Sequence, residues 1–324
     1  MIITESLQWS KESGTVKIFY IPKKTLLEHL LRKDYHLKQG GMNLKASESK
    51  PKKNRRTLYF ILTMIAFIGS LPFILPQEQT KKNNPVAAPE NLQLSIIQRV
   101  LFAFAKPLFI EKMQGPFLII SPHPDDETLG CAAAIMRARG AGKQVFVIII
   151  TNGAASSHPI LTSEELIVER RKEAEQACSI LGVAREDIFF FSFSDGRASE
   201  HVNDITSELQ KYIQRLKPKE IFSPYGDDEH DDHQAIAAAI DLLVNNGIIK
   251  VPVYEYPIWF WPWRAQKNAV NPFRLARLRI ISTAGLIEPK KKALMAYKSQ
   301  SIHWNDNYLR YYLQSYEIFF EKKQ

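Results

Sequence analysis

Cysteine is scarce in this chain. Cys131 and Cys178 are the only two in 324 residues. Neither sits at metal-ligand spacing from the other, which excludes a cysteine-built zinc site. Each falls inside an apolar helical pattern and is expected as a buried free thiol. A bridge between them is the alternative for a domain outside the cytoplasm. Internal repeats and low-complexity tracts are also missing. With 45% hydrophobic residues the composition is that of an ordinary globular protein.

Acidic residues are in deficit, 34 against 43 lysines and arginines, for a net charge of +9. Such a balance points to nucleic acid, anionic lipid or acidic glycans as partners. The excess, however, lies largely ahead of the chemistry-bearing segments and in the C-terminal tail, while the candidate pocket is acidic. Nucleic acid is therefore not expected.

Charge vanishes altogether from Thr57 to Leu75, TLYFILTMIAFIGSLPFIL. That is about the length needed to cross a hydrocarbon core of ~30 Å. Gly69 and Pro72 are tolerated in membrane helices. The chain thus divides into a basic region 1–56, a transmembrane helix 57–76 in contact with membrane lipids, a polar linker 77–93 and a domain 94–324. Lys45, Lys50, Lys52, Lys53, Arg55 and Arg56 precede the span, and Lys81 and Lys82 follow it. The bias predicts a cytoplasmic N-terminus and an extracytoplasmic domain. Met42 is an alternative start.

Beyond residue 115, short apolar runs alternate with helical periods. Strands are expected at Phe117–Ser121, Val145–Thr151, Ile188–Phe193, Glu220–Ser223 and Val251–Tyr256. Helices are expected at Glu127–Arg139, Ser163–Leu181, Asp204–Leu216 and Asp232–Val244, with Gly140 and Gly182 behind the first two and Pro218 behind the third. Two more helices, Pro289–Ser299 and Asn307–Lys322, are expected to close the chain. The fold class is α/β, with a mostly parallel sheet covered by helices on both faces. The tail from Pro257 is aromatic and basic, including Trp259, Trp261, Trp263 and Lys290-Lys291-Lys292. It reads either as a membrane-facing or glycan-stacking surface or as core aromatics and solvated charge.

In such sheets ligands bind beyond the carboxyl ends of the strands. Two acidic-imidazole clusters stand there: Ser121-Pro122-His123-Pro124-Asp125-Asp126-Glu127 and His230-Asp231-Asp232-His233. Thr151-Asn152-Gly153 and Ser194-Asp195-Gly196-Arg197 occupy two further strand ends. A catalytic zinc site takes three protein ligands and keeps a position open. His123, Asp126 and His233 can supply them. Asp125 is the candidate general base, and His230 can stabilise an oxyanion or protonate a leaving amine. Glu127 is expected to fix the tautomer of a ligand histidine. Arg170, Asp195 and Arg197 complete the set, as substrate contacts or supports behind the ligands. Helix capping is the plainer reading of Asp125 and Asp126. His158 and His201 read as surface residues.

The segment SPHPDDETLGCAAAIMRARGAGKQVFVIIITNG resembles the opening of the LmbE-like, or PIG-L, family of zinc-dependent N-deacetylases. Arg170-x-x-Glu173 with Leu181-Gly182, Pro224 through His233, and Ser299-Gln300 agree with it, so the resemblance runs over residues 115–302. It implies a Rossmann-like fold and removal of an N-acetyl group from an N-acetylglucosamine-type sugar. It further implies one Zn2+ held by His123, Asp126 and His233, with Asp125 as base and His230 assisting the tetrahedral intermediate. Arg170 matches the family's helix arginine. The family's usual H-P-D-H reads H-D-D-H here, and Asp227, Asp228 and Glu229 make the approach acidic, which suits an amino-bearing substrate. The anchor adds the expectation of a lipid-linked or cell-envelope glycan as partner. An amidase of another acylated amine or a thiol conjugate, and a catalytically silent glycan-binding domain, are the alternatives.

Overall fold

A computed structural model of the chain describes residues 6–8, 17–19, 105–259 and 277–323. The chain divides into two units, Met1–Ser70 and Leu71–Gln324. In the first, β1 (Ser6–Gln8) pairs antiparallel with β2 (Lys17–Phe19). The apolar run 57–75, the linker, Met42, Trp261 and Trp263 lie outside the described residues. Among the described residues no helix is long and apolar enough to cross a membrane.

The second unit is built on an eight-stranded sheet. Its strands are β3 (Lys106–Pro107), β4 (Phe117–Ser121), β5 (Val145–Thr151), β6 (Ile188–Phe193), β7 (Glu220–Pro224), β8 (Val253–Tyr256), β9 (Leu278–Ser282) and β10 (Tyr316–Glu321). Their order is β3-β9-β10-β8-β7-β4-β5-β6. β4 and β5 read FLIIS and VFVIIIT, and every residue of both is buried. Such unbroken β-branched and aromatic runs suit strands covered on both faces. Alternate residues feed two cores. Phe117, Ile119, Val145, Val147 and Ile149 pack with α1 (Asp126–Gly140) and α2 (Ser163–Ile180). Leu118, Ile120, Phe146, Ile148 and Ile150 pack with α3 (Val202–Leu216) and α4 (Asp231–Asn245). Three short helices follow, α5 (Ile287–Leu294), α6 (Lys298–Ser301) and α7 (Asp306–Leu309).

β4 through β8 run parallel, and the chain order reverses at β4. From β4 it proceeds to β5 and β6 on one side and to β7 and β8 on the other. The switch point between β4 and β7 is where a crevice opens in an open α/β sheet. The β4–α1 turn carries His123 to Asp126, and the β7–α4 turn carries Asp228 to His233. The topology alone puts the two clusters side by side.

Two expectations are corrected. The closing helix over Asn307–Lys322 is only one turn, Asp306–Leu309, and Tyr316–Glu321 is a strand. That strand, YEIFFE, is antiparallel to both β8 and β9 and sits inside the sheet. It buries Phe319 and Phe320, and its register puts Ile318 opposite Ile280. The domain core therefore extends past residue 302. Gly140 is the last residue of α1 rather than the residue behind it; the left-handed position is Gly142, at φ +72°. Gly182, at φ +90°, does follow α2, whereas α3 ends on Lys217 at φ +48° before Pro218.

Candidate metal centre

Ser121 ends β4 and ties the turn that follows. Its Oγ donates to the His123 carbonyl at 2.7 Å, and it accepts the Glu127 N–H at 3.1 Å. This closes a tight loop in which His123 and Asp126 face one point. Asp126 Oδ2 lies 3.0 Å from His123 Nδ1 and 3.2 Å from His233 Nε2. The two nitrogens are 3.3 Å apart. Ligands at about 2.0–2.1 Å from a tetrahedral zinc are separated by about 3.3 Å, the edge of that tetrahedron. The three predicted ligands thus form one face of a tetrahedron, and the residues present fit a divalent ion. A looser trio, His123, His230 and His233, has donor atoms within 4.8 Å of one another.

The far nitrogen of each imidazole is also held. His233 Nδ1 lies 3.1 Å from Asp228 Oδ2. His123 Nε2 lies 3.1 Å from Asp232 Oδ2 and 3.1 Å from Asp195 Oδ1. A carboxylate on the distal nitrogen fixes the tautomer that leaves the other lone pair free for a metal. Asp232 is itself fixed, accepting the N–H groups of Gly196 at 2.7 Å and Ala198 at 2.9 Å. Asp228 accepts three backbone N–H groups, from Glu229 at 2.8 Å, Ile258 at 2.9 Å and Trp259 at 2.9 Å. Neither Asp228 nor Asp232 stands in the sequence-derived site set. The regular D-x-H-x-D-H spacing over 228–233 is the signal that could have found them.

Charges within the cluster act on one another. Burial by itself would raise Asp126, but the imidazoles of His233 and His123 hold its carboxyl far below the usual range. Burial would lower His233, yet Asp126 and then Asp228 push it up to about 9. Burial, followed by the cationic rings of His123 and His233, lowers His230. His230 caps α4, its Nδ1 accepting the Asp232 N–H at 3.2 Å. That leaves Nε2 to carry the proton of a neutral ring that lines the cleft.

Asp125 sits at the start of α1 with φ +137° and ψ −27°, strained for any residue but glycine. Its side chain accepts no helix-capping bond. Arg170 Nη2 donates to Asp125 Oδ2 at 3.2 Å and to the Pro124 carbonyl at 2.6 Å. Burial raises the Asp125 carboxyl to about 8, with the Arg170 cation opposing. Capping therefore does not account for Asp125, which lines the cleft beside the ligands.

Arg170 is buried on α2 and also donates from Nη1 to the Gly153 carbonyl at 2.9 Å and to Ser156 Oγ at 3.2 Å. A Cβ on Gly153, which has φ +71°, would meet Arg170 Nη1 at 2.6 Å. The Thr151-Asn152-Gly153 loop thus shapes itself around the guanidinium. Asp195 belongs to the site, with Oδ2 accepting the Ala155 N–H at 2.9 Å.

Three readings of the sequence are corrected here. Arg197 points away and pairs with Glu200 on the surface, two short bonds between residues three apart. Glu127 meets no ligand histidine. Its carboxylate takes bonds from Ser121, Thr128, Tyr297 and the Asp125 N–H, so it stiffens the turn. Asp228 is buried and engaged inward, so it is not part of an acidic approach. His158 and His201 stay outside the site, His158 accepting the N–H groups of Ile160 and Leu161. Cys131 and Cys178 are buried and free, their thiols pushed well up by burial.

The cleft has a volume of about 420 Å³, within the about 300–1,000 Å³ of ligand sites. The metal cluster forms its floor, while Ser156, Gln300, His303, Trp304 and Tyr308 line its sides. The last three had no place in the sequence-derived site.

The fold and floor define an α/β domain with a cluster of two histidines and one carboxylate, fit for a divalent ion, at a topological switch point. Residues 118–244 match the family model described as PIG-L, GlcNAc-PI de-N-acetylase. The chain is 28% identical over 145 residues to an uncharacterized deacetylase, YaiS, of Escherichia coli strain K12, covering 43% of this chain and 73% of that protein. It is 30% identical over 135 residues to a probable N-acetyl-alpha-D-glucosaminyl L-malate deacetylase 2 of Bacillus anthracis, covering 40% and 59%. Among solved structures, the zinc-inhibited form of teicoplanin deacetylase Orf2 matches with a TM-score of 0.50 at 20% identity, over 63% of this chain and 97% of that one. That last likeness speaks for the fold. The matches support a likeness to the PIG-L/LmbE-like deacetylases over less than half of this chain.

Proposed function

We propose that this chain is a zinc-dependent hydrolase that removes an N-acetyl group from an N-acetylglucosamine-type amino sugar. The observation that carries the metal is the convergence of His123 Nδ1, Asp126 Oδ2 and His233 Nε2 at 3.0–3.3 Å, with carboxylates behind both imidazoles. The B. anthracis relative, a probable deacetylase of an N-acetyl-alpha-D-glucosaminyl L-malate, supports the sugar.

A zinc ion held there supplies Lewis acidity to the amide carbonyl and acidifies water. Asp125 takes the proton from the attacking water as the water oxygen bonds to the carbonyl carbon. A carboxyl at about 8 is largely protonated at neutrality. Arg170 opposes that rise, and a bound divalent cation would act in the same direction, favouring the ionised carboxylate that serves as base. His230, neutral and with Nε2–H facing the cleft, donates a hydrogen bond to the oxyanion. Its lowered pKa favours that part over full proton donation. The C–N bond then breaks, acetate leaves, and the proton held by Asp125 passes to the amine.

The membrane anchor at 57–76, with the domain outside the cytoplasm, belongs to the same reading. It rests on the uncharged run and the cationic flank ahead of it. A tether would raise the domain's concentration at lipid-linked or envelope glycans.

The test is metal content together with acetate release from an N-acetylglucosamine glycan. The expected result is one zinc per chain, acetate in the wild type, and none in Asp125→Ala despite full zinc content. A chain that takes up no divalent ion under native conditions would remove the reading.

A further inference from the structure

We infer that Trp259, Trp304 and Tyr308 form a stacking wall that takes the carbon face of a pyranose ring, so that this cleft recognises the sugar bearing the acetamide and not the acyl group alone. The inference rests on the N-deacetylase reading and assigns the part of the site that selects substrate.

Aromatic rings run in an unbroken series from the metal floor to the rim. His123 and His230 are 4.6 Å apart between centroids, His230 and Trp259 6.2 Å, Trp259 and Tyr308 6.4 Å, and Tyr308 and Trp304 6.2 Å. Tyr308 and Trp304 are near-parallel, at 22°. All three wall residues are only half-buried and line the cleft, so ring surface remains open to a ligand. All three also rest against the hydrophobic core, which leaves only part of each ring free.

The same lining also carries polar groups, those of Asp125, Asp195, Ser156 and Gln300. A pyranose offers both kinds of partner: axial C–H groups on one face and hydroxyls around the edge. Its C–H groups carry partial positive charge that a ring face attracts. An alkyl amine would match the aromatic rings and leave the polar groups facing carbon, at a desolvation cost. The mixed lining therefore favours a sugar over an aliphatic amide or a long acyl chain.

The segments that carry the wall are tied down by their neighbours. Glu173 of α2 accepts the Ser299 N–H and hydroxyl, both at 2.7 Å. Ser156 donates to Gln300 Oε1 at 2.9 Å, and His303 Nε2 sits 2.8 Å from the Ser157 carbonyl. Tyr312 donates to the Ile258 carbonyl at 2.8 Å. Such pre-ordering lowers the entropy lost on binding. Trp259, Trp304 and Tyr308 all lie beyond residues 118–244, the segment that matches the family model.

The test uses the full zinc-loaded chain carrying Asp125→Asn, so that the probe is not consumed. Calorimetry with a β-1,4-linked N-acetylglucosamine disaccharide is compared with N-acetylbutylamine. Trp304→Ala is expected to weaken the disaccharide about tenfold, Trp304→Phe to retain most of the affinity, and N-acetylbutylamine to bind at least about tenfold more weakly than the sugar throughout. Should Trp304→Ala not fold, by circular dichroism and zinc content, Trp304→Leu fills the space without a ring face and carries the same expectation. A wild-type chain that does not bind the disaccharide, a leucine or alanine variant that binds it unchanged, or an aliphatic amide bound as tightly as the sugar would each overturn the wall. Sugar binding without acetate release in the catalytically intact chain would instead sink the hydrolase and leave the wall standing.

Discussion

Asp125 holds a backbone conformation that costs on the order of 1–3 kcal/mol in a non-glycine residue, and Arg170 and the Pro124 carbonyl keep it there. Replacing Arg170 with Gln should leave zinc content intact and lower the rate of acetate release about tenfold to a hundredfold, since only the base is misplaced. A fall confined to KM would contradict that assignment. His233 makes a second residue-scale prediction. In the metal-free protein its pKa is raised to about 9 by Asp126 and Asp228. A raised histidine pKa stabilises the fold below the unfolded value near 6.5 and loses that stabilisation as pH rises through about 9. The metal needs the same nitrogen unprotonated. Zinc binding at pH 7 should therefore release protons, and affinity should climb with pH until about 9. Calorimetry in buffers of different ionisation enthalpy reads this directly. No buffer dependence would show that His233 is already neutral in the free site.

At the scale of elements, α1 carries Asp126 and is gripped from the C-terminal part of the chain. Lys290 of α5 and Glu317 of β10 form a buried ion pair at 2.8 Å. Lys290 donates to the Leu129 carbonyl at 2.7 Å, and Glu317 accepts the Ala133 and Ala134 N–H groups at 2.8 and 3.2 Å. Leu129 and Ala133 are groups that an α-helix would ordinarily bond to each other. The Lys290-Lys291-Lys292 run is thus not simply solvated charge, because its first member is buried. Lys290→Met leaves Glu317 unpaired and should destabilise the domain by about 3–5 kcal/mol, whereas Lys290→Met with Glu317→Leu should recover much of this. Denaturant midpoints of the two variants test the pair. The same contact explains a missed element. YEIFFE offers two acids and four apolar residues that sit as well on a helix as on a strand. Its partners at β8 and β9 are remote in sequence. By contrast Val145–Thr151 and Ile188–Phe193 were legible to the residue, being apolar runs too short for helices and bounded by turn residues.

Across the whole molecule, what could be read in advance was the floor of the site, and what could not was its walls and supports. His123, Asp126 and His233, the proposed ligands, could be picked out because metal ligands must be particular residue types at strand ends. Asp232 bonds His123 across the switch point, 109 residues away, instead of the histidine beside it. No local spacing predicts such a choice. Arg197 misled for the opposite reason: a charged residue in a site-bearing loop turned outward to a partner three residues on. The proposed anchor can be judged at this scale as well. Deleting residues 1–76 should move the protein from the membrane fraction to the soluble fraction. Protease added to spheroplasts should reach the domain in the full chain, and full protection would reverse the orientation.

Asp228 has a consequence of its own. One carboxylate holds the distal nitrogen of His233 and, through the Ile258 and Trp259 N–H groups, the start of the sugar wall. Occupancy at the floor and occupancy at the wall then share a common hinge pin, and thermodynamic reciprocity follows. Zinc should tighten the disaccharide by the same factor that the disaccharide tightens zinc, and Asp228→Asn should shrink both factors toward unity together.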